Sequence, residues 1–112
     1  MFQPDQKVWY AGALDRPGTN SEYHLVDERI VGRMPTNLNW EQDAAMPLTT
    51  ITAWEILFAR FGLTRDATGV LLIIGAAGGV GSMMIQLAKK LTNLTVVGTA
   101  SRNSTRKWVQ SS

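Results

Sequence analysis

A run of small side chains, Gly75-Ala76-Ala77-Gly78-Gly79-Val80-Gly81, constrains this chain more than any other feature. Before it stands Val70-Leu71-Leu72-Ile73-Ile74, wholly apolar; after it come an amphipathic segment to about Leu91 and a second apolar run, Thr95-Val96-Val97-Gly98-Thr99. Strand, small-residue turn, helix and strand in that order open a dinucleotide-binding βαβ unit. Continuous Val, Leu and Ile is how a strand of a parallel sheet reads when both its faces are buried. The turn must let backbone N–H groups approach a pyrophosphate, so side chains there are absent or tiny. A helix beginning at about Gly79 would aim its positive end and unpaired N–H groups at that anion.

The strict Gly-x-Gly-x-x-Gly pattern is not met, because Ala76 stands at its first glycine: the match is Ala76-x-Gly78-x-x-Gly81. The plainer alternative is a βαβ unit whose glycines serve only tight helix–sheet packing. The flanking strand, helix and second strand favour the nucleotide reading. No Gly-Lys-Ser/Thr closes the turn, which excludes a P-loop.

The end of the second strand carries the cofactor choice. Sites for NAD place Asp or Glu about 20 residues beyond the glycines, to hold the ribose 2′-hydroxyl. Here the chain continues Gly98-Thr99-Ala100-Ser101-Arg102 without an acid. An arginine can give two N–H donors to phosphate oxygens and a serine adds a third bond, so the 2′-phosphate of NADPH is expected at Ser101 and Arg102.

Upstream, residues 1–35 read as β-rich. Val8 to Ala11 is a strand candidate, Asp15 to Asn20 a turn, and Glu22-Tyr23-His24-Leu25-Val26 alternates as a half-buried strand would. His24, the only histidine, is expected to be an ordinary strand residue rather than a metal ligand. Asn39 suits a helix N-cap with Gln42 as its capping-box partner, and Pro47 ends that short helix or begins the next. From Leu48 to Phe61 the positions Ile51, Trp54, Leu57, Phe58 and Phe61 recur at helical spacing, with Gly62 as the C-cap. On the helix after the glycines, Val80, Met84, Leu87, Ala88 and Leu91 form the apolar stripe, opposite Gln86, Lys89 and Lys90. Met83 and Met84 are most simply packing residues.

Composition narrows the class. The 112 residues are one domain's worth at most, 45% hydrophobic and 18% charged, with no cysteine for a disulfide or thiolate site. No apolar run approaches the roughly 20 residues of a membrane span, and no signal peptide opens the chain, so a cytoplasmic protein without a membrane partner is expected. Net charge is +2, with basic residues scattered except for Arg102, Arg106 and Lys107, which excludes a nucleic-acid footprint. A doubly wound sheet needs more strands than the two visible here, so the chain is expected to be part of a larger protein.

The β-rich start, the Pro-interrupted helix with Leu48-Thr49-Thr50-Ile51-Thr52-Ala53-Trp54, the stretch Val8-Trp9-Tyr10-Ala11-Gly12 and the turn from Ala76 to Gly81 together resemble the medium-chain dehydrogenase/reductase superfamily. The likeness is to its quinone-oxidoreductase-like members, often labelled zinc-type alcohol dehydrogenase-like, and covers nearly the whole chain. It implies an α/β fold: the first part of a Rossmann domain at 47–112, preceded by the β-rich end of a GroES-like substrate domain at 1–46. It further implies Thr52 beside the nicotinamide, Ala77, Gly78, Gly79, Val80 and Gly81 at the pyrophosphate, and Ser101 and Arg102 at the 2′-phosphate.

Zinc-containing relatives draw a cysteine ligand from the segment just before this threonine, where this chain has Leu48. The resemblance is therefore to the zinc-independent branch, in which hydride passes from NADPH to a quinone, enone or related carbonyl compound. Such chemistry asks the protein mainly to orient reactants and exclude water. No catalytic acid or base stands out, since Tyr10 and Tyr23 have no evident partners in the sequence. The expected partners are a small-molecule substrate and further copies of the chain, because the edge beside 95–99 invites pairing. The alternative is a non-catalytic cofactor-binding or structural protein on the same fold. A short-chain dehydrogenase is disfavoured, because no Tyr-x-x-x-Lys follows the glycines.

Overall fold

The computed structural model describes all 112 residues, which form two compact units, Met1–Leu48 and Thr49–Ser112.

In the first unit, β1 (Val8–Trp9) pairs antiparallel with β2 (Gly32–Arg33), Val8 facing Arg33 and Trp9 facing Gly32. The Trp9 indole lies over Gly32, where a Cβ would stand 2.9 Å from Nε1. β1 is thus shorter than the Val8–Ala11 expectation, and residues 22–26 form no strand at all. Alternation at 22–26 finds no neighbouring strand to pair with, and Tyr23 and Leu25 stand exposed. Side-chain bonds organise this loop instead. His24 Nε2 donates to the Pro17 carbonyl at 2.7 Å, which leaves Nδ1 of the neutral ring to accept from the Tyr10 hydroxyl at 2.9 Å. His24 is therefore a loop residue rather than a strand residue, and Tyr10 does have a partner.

Asp27 caps a single 3₁₀ turn, Glu28–Ile30, by accepting the Arg29 N–H at 2.9 Å. The Arg29 guanidinium beside Asp27 holds its carboxyl below the ordinary aspartate value. The capping box forms as the sequence predicts: Asn39 accepts the Gln42 N–H at 2.8 Å, and Gln42 accepts the Asn39 N–H at 3.1 Å, starting α1 (Trp40–Ala45). On α1, Asp43 is buried and neither carboxylate oxygen has a hydrogen-bond partner.

Pro47 takes the first position of α2 (Pro47–Trp54), where its missing N–H costs nothing. The helix then continues as a π-helical segment, Glu55–Arg60, and Gly62 follows with φ +63° as a left-handed terminator. The expectation of one regular α-helical stripe from 48 to 61 is corrected here. Ala53 and Leu57 are buried and Phe58 packs on the core, whereas Ile51 and Trp54, on the regular turns of α2, and Phe61, beyond the wider π turns, are exposed.

In the second unit, β3 (Val70–Ile73) and β4 (Thr95–Gly98) run parallel, with Val70 beside Thr95 and Ile73 beside Gly98. The crossover is α3 (Gly79–Leu91), which buries Met84, Ile85 and Ala88 against Ile73, Ala76, Ala53 and Leu57. Met83 packs at the margin of this core, as expected. Burial on both faces of the sheet is not found. Successive side chains alternate between faces, and only the face of Leu71 and Ile73 is covered; Val70, Leu72 and Ile74 are 71%, 58% and 81% exposed. The apolar run is thus continuous although its second face has no covering layer within this chain.

The sequence pattern gives no forecast for 103–111, where the chain forms α4 (Asn103–Ser111). Its Trp108 Nε1 donates to Ser82 Oγ at 2.8 Å and Val109 packs on the core, which fastens α4 to α3. No helix is long and apolar enough to cross a membrane.

Candidate dinucleotide-binding site

β3 delivers the chain into a turn, 74–78, that lies at the start of α3. Gly75 adopts φ +67°, a conformation in which a Cβ would clash with its own backbone. Its N–H donates to Thr99 Oγ1 at 3.0 Å, the Ala76 N–H donates to the Thr99 carbonyl at 2.9 Å, and the Gly78 N–H closes back on the Gly75 carbonyl at 3.1 Å. Gly78 is the N-cap of α3 and, lacking a side chain, caps nothing. The first-turn N–H groups of Gly79, Val80 and Gly81 are therefore without a side-chain acceptor, which is the arrangement that suits an anion.

The glycines divide their work. A Cβ on Gly81 would stand 2.7 Å from the Cα of Ala76, so this position must be bare for α3 to pack on the turn. A Cβ on Gly79 would stand 3.0 Å from Thr49 Cγ2, so α2 closes in on that side. Gly78 meets only the Gly75 carbonyl at 3.5 Å and is exposed, so its backbone can be approached from solvent. Open, small and uncapped at that point, the cradle fits a pyrophosphate.

Among the residues expected at the cofactor, Gly78, Gly79, Ser101 and Arg102 are exposed, Ala77, Val80 and Thr52 are half-buried, and Gly81 is buried. The turn and the start of α3 bring 77–81 together. Thr52 lies three residues beyond Thr49 on α2, so both fall on one helix face. Ser101 and Arg102 follow β4, with Arg102 at the N-cap of α4. The Arg102 guanidinium makes no ion pair; the one salt bridge of the chain joins Arg29 to Asp27.

Two residues of the site escape the sequence reading; Thr49 belongs to the threonine-rich stretch that the sequence singles out, but its packing against Gly79 shows only in the folded chain. Gly98 is bare for a reason visible only in the sheet: a Cβ there would stand 2.7 Å from the Ala76 Cβ. Thr99 had a usable signal, since a parallel partner strand ends level with the turn and the residue after it can reach the turn's backbone.

None of residues 74–81 carries an acidic or basic side chain. The two carboxyls held below the ordinary aspartate value, Asp27 by Arg29 and Asp66 by the Thr64 hydroxyl, are not among the residues of the turn. No group of three or more His, Cys, Asp or Glu side chains is placed to hold a metal ion.

No family model matches the chain. A zinc-type alcohol dehydrogenase-like protein of Staphylococcus epidermidis is 46% identical over 96% of this chain and 33% of the relative. Among solved structures, a Rhizobium etli protein described as a zinc-dependent alcohol dehydrogenase superposes with a TM-score of 0.87 at 53% identity, over 98% of this chain and 33% of that one. The Escherichia coli quinone oxidoreductase complexed with NADPH superposes with a TM-score of 0.73 at 28% identity, over 95% of this chain and 31% of that one. The chain thus spans about one third of the length of the relatives it matches. Its fold is α/β, the opening of a Rossmann dinucleotide-binding domain preceded by the end of a GroES-like domain. Its homologues are zinc-type alcohol dehydrogenase-like proteins and quinone oxidoreductases, members of the medium-chain dehydrogenase/reductase superfamily.

Proposed function

We propose that the protein bearing this chain is an NADPH-dependent oxidoreductase that reduces a quinone, enone or related carbonyl compound without zinc. One observation carries the reading: an uncapped α3 N-terminus beside an exposed small-residue turn, with Ser101 and Arg102, and no acid, at the end of the second strand. NADPH, when bound, supplies the hydride. The turn at 77–81 would hold its pyrophosphate, Ser101 and Arg102 its 2′-phosphate, and Thr52 would lie beside the nicotinamide. The chain's share is to fix that cofactor in place and keep water from it. In this reading, residues 1–46 belong to the substrate domain and 47–112 to the cofactor domain, and the protein works in the cytoplasm as a homo-oligomer.

Zinc independence is supported by Leu48 in the place of the zinc-binding relatives' cysteine and by the engagement of both nitrogens of the single histidine. Two of the relatives carry zinc in their names, so the metal content of the purified full-length protein decides this part. One zinc per chain would overturn it.

The deciding experiment is a fluorescence titration of the full-length protein with NADPH and with NADH. A preference for NADPH of tenfold or more, about 1.4 kcal/mol, is expected, followed by turnover on quinones or enones. Equal binding would overturn the 2′-phosphate assignment. Binding without turnover on any such acceptor would favour a non-catalytic protein on the same fold.

A further inference from the structure

We infer that Thr99 is a positioning residue that locks the pyrophosphate turn to the loop carrying Ser101 and Arg102, an inference that rests on the NADPH reading above. Thr99 bonds the neighbouring strand and turn three times. Its N–H donates to the Ile73 carbonyl at 2.9 Å, its carbonyl accepts from the Ala76 N–H at 2.9 Å, and its hydroxyl accepts from the Gly75 N–H at 3.0 Å. The first two bonds are backbone and any residue could make them. The third needs a side-chain acceptor on a short stem, which Ser and Thr supply and Val does not.

The place of that bond gives it consequence. Gly75 is the turn residue held at φ +67°, and Gly78, whose N–H closes back on the Gly75 carbonyl, is the N-cap of α3. A shift at Gly75 therefore moves the N–H groups that would meet the pyrophosphate. On its other side Thr99 is followed by Ala100 and then by Ser101 and Arg102. That loop is fastened again past its end, where Trp108 of α4 bonds Ser82 of α3 at 2.8 Å. The loop is thus tied at both ends to the elements that form the pyrophosphate cradle, and Thr99 is the nearer tie. A cofactor with phosphates in both places needs the two anion sites at a set spacing, whereas NADH uses only the first. Thr99 consequently sets discrimination between the cofactors as well as affinity for both.

The test compares wild type, Thr99→Val and Thr99→Ser in the full-length protein, by fluorescence titration with NADPH and NADH separately. Thr99→Val keeps the shape and removes the acceptor; it is expected to lower the NADPH-over-NADH preference at least threefold, and Thr99→Ser to retain it. In the cofactor-free protein the Gly75 amide should exchange with solvent faster in Thr99→Val than in wild type. If Thr99→Val does not fold, Thr99→Cys, a poor acceptor of similar size, takes its place with the same expected fall. An unchanged preference, even with both affinities reduced together, would assign Thr99 a merely structural role and overturn the inference. A wild-type protein with no preference for NADPH would sink the underlying reading, an outcome seen before any variant is made.

Discussion

Gly81 and Ala76 are packed so closely that a Cβ on Gly81 would stand 2.7 Å from both the Cα and the carbonyl oxygen of Ala76. Ala76 is itself fully buried, and a Cβ on Gly98 would likewise stand 2.7 Å from the Ala76 Cβ. Backbone has no rotamer with which to yield, so Gly81→Ala must move the start of α3. Overpacking of this kind costs about 1–3 kcal/mol, and chemical denaturation should register that loss. Gly78→Ala is the contrast: its nearest neighbour would lie at an ordinary 3.5 Å and its φ is −71°, so stability should change by no more than about 0.5 kcal/mol. Equal losses at the two positions would contradict the division of labour among these glycines.

The Asn39–Gln42 capping box satisfies two backbone N–H groups at the start of α1, a helix of six residues with little stability of its own. Asn39→Ala is expected to cost about 1 kcal/mol. Asn39→Asp keeps an acceptor and should cost almost nothing. Thermal unfolding of the pair checks the claim, and a full loss in Asn39→Asp would show that the cap is not what starts this helix.

What was legible in the sequence is what local chemistry determines. The capping box, Pro47 at a helix start, Gly62 as a terminator and the small-residue turn before Gly79 each follow from a few adjacent residues. The misreadings have one cause, which is that a pairing or covering partner cannot be read from periodicity. Residues 22–26 alternate but lack a partner strand, and the apolar run of β3 promises two covered faces where one is found. The stripe through Ile51, Trp54 and Phe61 fails in the same way, because Ile51 and Trp54 lie on the regular turns of α2 and stand exposed without a covering layer within this chain. At the site, residues 77–81 declare themselves by size alone, whereas Thr49, Gly98 and Thr99 acquire their roles from contacts distant in sequence.

Trp108 and Ser82 join α4 to α3 through a single side-chain bond with a nearly buried acceptor. Trp108→Phe removes the donor while keeping an aromatic ring, and leaves Ser82 Oγ without its partner. A loss of about 0.5–1.5 kcal/mol is expected. The double variant with Ser82→Ala should cost less than the sum of the single ones, because the orphaned acceptor is gone. Strict additivity would mean that the bond contributes nothing.

Arg102 stands exposed at the N-cap of α4 with no carboxylate paired to its guanidinium. A cation left free at the end of the second strand is available to a phosphate without first breaking an ion pair. Arg102→Ala in the full-length protein is therefore expected to weaken NADPH binding tenfold or more, about 1.4 kcal/mol, while NADH binding changes by less than about twofold. Because the site is exposed, the wild-type preference should shrink as salt is raised. The variant should show little such dependence of its preference, since the charge that salt screens has been removed. Parallel weakening of both cofactors would place Arg102 in the structure of α4 rather than at the 2′-phosphate. Unaltered binding of both would make it a solvated loop residue, and the cofactor preference would then have to come from elsewhere in the protein.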